Sequence, residues 1–135
     1  KHFMSAITLT IKDETAGGKT TNEINVSFAS ELTTVKEIIT ARVTAEVDQY
    51  NNKMPEYFKG LIEPGDAERT LNGFKLKEKR KVDAEKQCLI ALDAFQKNGF
   101  FLLVDNIQSE SLEQMVVINT NTNISFVKLT PLVGG

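Results

Sequence analysis

The sequence predicts an α+β domain, and three observations carry that prediction. Two alternating apolar stretches flank a glycine turn, a capped apolar stripe at helical spacing follows them, and another alternating stretch comes last. Over residues 6–12, Ile7, Leu9 and Ile11 share one face while Thr8, Thr10 and Lys12 share the other, as in a half-buried strand. Residues 13–22 read as a polar loop whose Gly17-Gly18 supplies the positive φ angles of a turn. Ile24, Val26 and Phe28 alternate again, completing a hairpin.

The helix comes next. Thr34-Val35-Lys36-Glu37 is a capping box, in which hydroxyl and carboxylate each satisfy the other residue's backbone amide. Behind it Val35, Ile38, Ile39, Val43, Val47 and Tyr50 form a stripe of about four turns, with Asn51-Asn52 as its expected end. Residues 53–99 read as an insertion. Its first part is loop-like, yet Tyr57, Phe58, Leu61, Ile62 and Leu71 are too costly to leave in water. Asn72-Gly73 is a turn signal. Asp83 is a good N-cap for a helix of about fifteen residues, with Ala84, Cys88, Ala91, Leu92 and Phe95 as its apolar face and Asn98-Gly99 as its C-cap. The last strand alternates Ile124, Phe126 and Leu129 with Ser125, Lys128 and Thr130, and Pro131-Leu132-Val133-Gly134-Gly135 follows as a flexible tail over residues 130–135.

From Phe100 onward the chain resembles the second half of ubiquitin. A strand over residues 100–104 leads through a turn to a Ser111-Leu112 segment, a buried aliphatic at Val117, a final strand and a diglycine end, with no gap in the count. The Pro131–Gly135 ending is also similar to the tails of the molybdopterin and thiamine sulfur carriers, which share the β-grasp fold. Hairpin followed by helix is the opening half of that fold. The expected architecture is therefore a single ubiquitin-like domain over residues 1–135. In it a β-grasp sheet of four or five strands packs on one long helix, with a helical insertion.

The resemblance implies a protein modifier. Gly135 would be adenylated by an ATP-dependent activating enzyme, passed as a thioester to that enzyme and a conjugating partner, and joined to a lysine of a target protein. A deconjugating peptidase would reverse the bond. Two glycines fit such chemistry because a Cβ on Gly134 or Gly135 would collide in a narrow catalytic channel. Pro131, Leu132 and Val133 would be the recognised part of the tail, and Leu103 matches the partner patch on ubiquitin's third strand. No cofactor of the chain's own is implied, since ATP is consumed by the activating enzyme. Ubiquitin's basic residues before the diglycine are absent here, which implies a dedicated activating enzyme. The alternatives are a sulfur carrier using a Gly135 thiocarboxylate and a β-grasp interaction module that is never conjugated.

Composition narrows the field. The 135 residues suffice for one core without staples, and a net charge of −2 creates no field to attract nucleic acid or an anionic membrane. Cys88 is the only cysteine, so no internal disulfide can form, and with no signal peptide the expected location is cytoplasmic. Met4-Ser5 reads as a native start, with Lys1-His2-Phe3 as extra sequence. His2 is the only histidine, so neither a histidine triad nor a His-rich metal site can be assembled. No metal ligands or catalytic residues are assigned, and an enzyme is not expected.

Five further features have structural readings. Gly17-Gly18-Lys19-Thr20 lacks the first glycine and following helix of a phosphate loop. Lys75, Lys77, Lys79, Arg80 and Lys81 read as solvated lysines and arginine entering a helix. Cys88 reads as a buried small hydrophobe. Acidic residues including Asp13, Asp83, Glu85, Glu110 and Glu113 read as solvated or capping groups, and the Asn/Thr string over residues 119–123 reads as a turn despite the Asn123-Ile124-Ser125 sequon.

Overall fold

A computed structural model describes residues 6–53, 57–58, 67–70, 73–76 and 82–128. Strand β1 (Ile7–Thr15) pairs antiparallel with β2 (Thr20–Phe28), so the hairpin is longer and its loop much shorter than the sequence suggested. A tight turn with Gly18 at φ +90° joins the strands, and the Thr15 carbonyl accepts from the Gly18 amide. β3 (Leu32–Thr34) leads into helix α1 (Val35–Lys53). The expected capping box forms: the Glu37 amide donates to Thr34 Oγ1 at 3.1 Å, and Glu37 Oε1 accepts from the Thr34 amide at 3.1 Å. The next two amides of the first turn do not face water. Val35 and Lys36 donate to the carbonyls of Gln114 and Leu112, anchoring α1 to the loop over residues 109–114.

The inserted segment contains more strand than expected. β4 (Tyr57–Phe58), β5 (Ala67–Thr70) and β6 (Gly73–Leu76) form a small antiparallel sheet in the order β4-β6-β5. Gly73 opens β6, and Lys75 lies within that strand, whereas residues 77–81 of the basic run lie outside the described residues. Asn51 does not stop α1 either. Its side chain clasps the backbone of Val82, accepting at 2.7 Å and donating at 3.1 Å.

Helix α2 (Ala84–Gln96) packs on α1. Asp83 caps it as expected, accepting from the amides of Glu85 and Lys86. Replacing Asp83 with alanine should cost about 1 kcal/mol in urea denaturation, because those amides are left to water. The helix ends in a Schellman arrangement. Gly99 donates to the Ala94 carbonyl at 2.7 Å and Asn98 to the Phe95 carbonyl at 3.1 Å, with Asn98 itself at φ 61°. Ala91 and Phe95 are buried, while Cys88 is only half-buried, with Sγ 3.8 Å from the Thr40 carbonyl oxygen and from Thr44 Oγ1.

After α2 come β7 (Phe100–Val104), β8 (Ile107–Gln108), β9 (Met115–Val117) and β10 (Ile124–Lys128). The main sheet is mixed, in the order β2-β1-β10-β7-β8, with β1 and β10 parallel at its centre and the other neighbours antiparallel. Its inward residues Leu9, Ile11, Ile24, Val26, Phe28, Leu102 and Phe126 join Val35, Ile38, Ile39, Val43, Val47 and Tyr50 of α1 in one core. Among the described residues the architecture is α+β, with a five-stranded mixed sheet and two helices. β9 pairs with β3 in a separate two-stranded ladder, Leu32 opposite Val117. This register corrects the expectation for Val117, which is 71% exposed, because strand alternation turns Val116 and Ile118 into the core instead. Residues 119–123 do form a turn, closed by Thr122 Oγ1 accepting from the Asn119 amide at 2.8 Å.

Candidate functional site

The sequence points to two places, the C-terminal tail and the sheet near Leu103. Leu129, Thr130, Pro131, Leu132, Val133, Gly134 and Gly135 lie outside the described residues. What the structure describes is the strand that leads into them. β10 is held on both sides, in parallel register with β1 and antiparallel with β7. Its inward side chains Ile124 and Phe126 are at most 1% exposed.

Leu103 lies on the opposite, outward face. In β7 the alternation puts Phe100 and Leu102 inward, so Phe101 and Leu103 turn outward, and both are half-buried. Register then fixes their neighbours on that face. Leu103 stands between Ser125 of β10 and Gln108 of β8, and Phe101 stands opposite Val127. One strand further, Lys12 is level with Ser125 and Glu14 with Val127, and Ser125 Oγ donates to Glu14 Oε2 at 3.2 Å. Over β1 and β2 the outward face is polar, with Thr8 Oγ1 and Ser27 Oγ 2.9 Å apart and Thr10 Oγ1 donating to Asn25 at 2.7 Å. Phe101, Leu103 and Val127 thus form a half-buried apolar patch with a polar rim. Sequence reasoning singled out Leu103 and not Phe101 or Val127, although strand alternation already links Phe101 to Leu103 and Val127 is the apolar outward residue of β10.

Behind this face lies a second arrangement that the sequence reading missed. Asp13, read as solvated, is 1% exposed, because β1 runs on past Lys12 and its inward alternation of Leu9 and Ile11 continues to residue 13. It forms a two-pronged ion pair with Arg42 of α1, which is fully buried. Arg42 also donates from Nε to Glu46 Oε1 at 3.1 Å and from a terminal nitrogen at 2.8 Å. Its guanidinium lies over the Phe126 ring, 5.2 Å from the centroid. Burial by itself pulls the Arg42 pKa down. The hydrogen bonds donated to Asp13 and the charges of Glu46 and Asp13 outweigh it, so the net direction is upward and the guanidinium stays charged. Asp13, Arg42 and Glu46 fasten the hairpin and helix to the strand that enters the tail.

Among the described residues, no group of three or more His, Cys, Asp or Glu side chains could hold a metal ion, and no helix is long and apolar enough to cross a membrane. No protein-family model, curated protein or solved structure matches the chain.

Proposed function

We propose that this chain is a ubiquitin-like protein modifier with a β-grasp fold, conjugated through Gly135 to lysines of target proteins. The observation that carries the reading is the strand order β2-β1-β10-β7-β8, with a parallel central pair joining the N-terminal hairpin to the strand that precedes the diglycine. That order supports the β-grasp reading by setting the strand that precedes the tail between the N-terminal hairpin and β7. The outward patch of Phe101, Leu103 and Val127 supports it by supplying a surface for the activating and conjugating enzymes.

In this reading the chain is a substrate, not a catalyst. The Gly135 carboxylate attacks the α-phosphorus of ATP, and pyrophosphate leaves. A cysteine thiolate of the activating enzyme displaces AMP to give a thioester, which passes to a cysteine of the conjugating partner. The neutral amine of a target lysine then displaces that thiolate and forms an isopeptide bond. Cytoplasmic chemistry suits a chain whose only cysteine is unpaired.

The test uses an N-terminally tagged chain expressed in its native cells and purified under denaturing conditions, beside a Gly135-deleted form. Heavier, reductant-resistant species that vanish in the deleted form and carry Gly135 on lysine by mass spectrometry are the expected result. Leu103→Asp should leave the fold intact and reduce those species at least about tenfold, since a buried charge at a binding patch weakens docking. A free chain carrying sulfur in place of a C-terminal oxygen would make it a sulfur carrier instead. An unmodified carboxylate in both forms would leave a plain interaction module.

A further inference from the structure

The two edges of the main sheet are built differently. β8 closes one side with only two residues, and a strand that short offers little to pair with. β2 closes the other side with nine, and among the described residues it pairs with β1 alone. Its outer side therefore presents a row of backbone N–H and C=O groups with no partner strand.

Such edges are usually blunted by lysine, proline, inward charge or a bulge. Only a bulge is present here, and it lies at one end. Asp13 is level with Asn22 and Glu14 with Thr20, so Thr21 has no counterpart in β1. Beyond it, residues 22–28 run on without lysine or proline, and Glu23 is their only charge. Their alternation is unbroken, with Ile24, Val26 and Phe28 buried and Glu23, Asn25 and Ser27 exposed. The helix does not close over this edge at its far end. Ser27 and Phe28 of β2 face Thr40 and Ala41 of α1 across a groove of about 560 Å³.

A second copy of the same stretch fits this edge best in one register. An antiparallel two-fold axis between residues would set core side chains against polar ones, whereas an axis on a residue keeps the faces matched. With the axis at Asn25, the whole of residues 22–28 pairs. Ile24 then stands opposite Val26, Glu23 opposite Ser27, and Asn25 opposite Asn25. An axis at Ile24 or Val26 shortens the ladder, and one at Glu23 also brings two carboxylates face to face. The central pair is self-complementary. The Asn25 side-chain oxygen accepts from Thr10 Oγ1 at 2.7 Å, which leaves it a second lone pair, and its amide nitrogen can donate to the facing copy.

We infer that two copies of this chain join edge to edge along β2, antiparallel about Asn25, and merge their main sheets into one. The edges left over are the two short β8 strands, so association closes at a dimer. This inference concerns the folded domain and does not depend on Gly135.

The test is analytical ultracentrifugation of the full chain from about 10 μM to about 1 mM, where a dimer is expected with a Kd on the order of 100 μM. Asn25→Glu and Asn25→Lys change an exposed position and leave the core alone. Each by itself should weaken the dimer at least about twofold, because a charge at a self-opposed position meets its own kind. An equimolar mixture of the two should associate at least about threefold more tightly than either variant alone, since glutamate then faces lysine. The variants lie one charge either side of the chain's −2, so both stay negative and long-range attraction cannot produce that gain. A monomer at every concentration would overturn the inference and leave the edge to an extended segment of another protein. A dimer indifferent to both charges would place the contact on another surface. Opposite responses to the two charges would put a charged residue, and not a second Asn25, across the axis.

Discussion

Replacing Arg42 with methionine should destabilise the protein by about 3–5 kcal/mol, because two buried carboxylates lose their counter-charge while most of the side-chain volume remains. Asp13 and Glu46 are 1% and 2% exposed, so neither can recover its solvation without opening the contact between sheet and helix. Urea denaturation measures the loss. The matching triple change of Asp13→Val, Arg42→Met and Glu46→Leu should return stability to near the starting value or above it, since buried ion pairs often gain little over apolar packing. A single-variant loss under about 1 kcal/mol would mean that water reaches the network. The alkaline side is also constrained. A cation whose folded pKa is raised contributes its stability in full below the unfolded pKa and loses it only as pH climbs through the folded one. Arg42 starts high and is shifted further upward, so its contribution should hold flat through mildly alkaline pH.

Phe126→Ala should cost a similar amount, about 3–5 kcal/mol, for a different reason. The ring is fully buried in the strand that leads to the tail, tilted against Phe100 with centroids 5.5 Å apart and covered by the Arg42 guanidinium. Truncation removes its transfer free energy and leaves a cavity beneath a charge. Phe126→Leu keeps much of the volume and should cost clearly less, while losing the cation–ring contact. A double-mutant cycle between Phe126→Leu and Arg42→Met isolates that contact, expected at about 1–2 kcal/mol for a desolvated pair. A coupling indistinguishable from zero would reduce the stacking to simple proximity.

Much of this fold can be read from local pattern. The hairpin, the Thr34–Glu37 box, the apolar stripe of α1 and the Asp83 cap each rest on residues close in sequence, and each is present. What escaped depends on partners far away. Arg42 and Glu46 occupy the same row as Ile38 and Tyr50 at four-residue steps, which makes them conspicuous within a core stripe. Their acceptability depends on Asp13, whose own inward position follows from alternation past Lys12. Val117 failed for a related reason. In a strand of three residues, an error of one position exchanges core for solvent, and only pairing with Leu32 settles the register. Leu103 could be singled out from the sequence, but the apolar residues beside it are brought together across β7 and β10, which no single stretch of sequence displays.

The parallel pairing at the centre of the sheet also governs how the protein is made. Ile11 must wait for Ile124, about 110 residues later, which at ordinary synthesis rates is an interval of several seconds or more. During that time the hairpin and α1 can associate, but β1 has an open edge and Asp13 and Arg42 lack the cover of Phe126. A newborn chain therefore passes through a half-built sheet with a bare central edge, the condition that invites pairing with other unfinished copies. Its yield in cells should depend on how well that edge is shielded until β10 arrives.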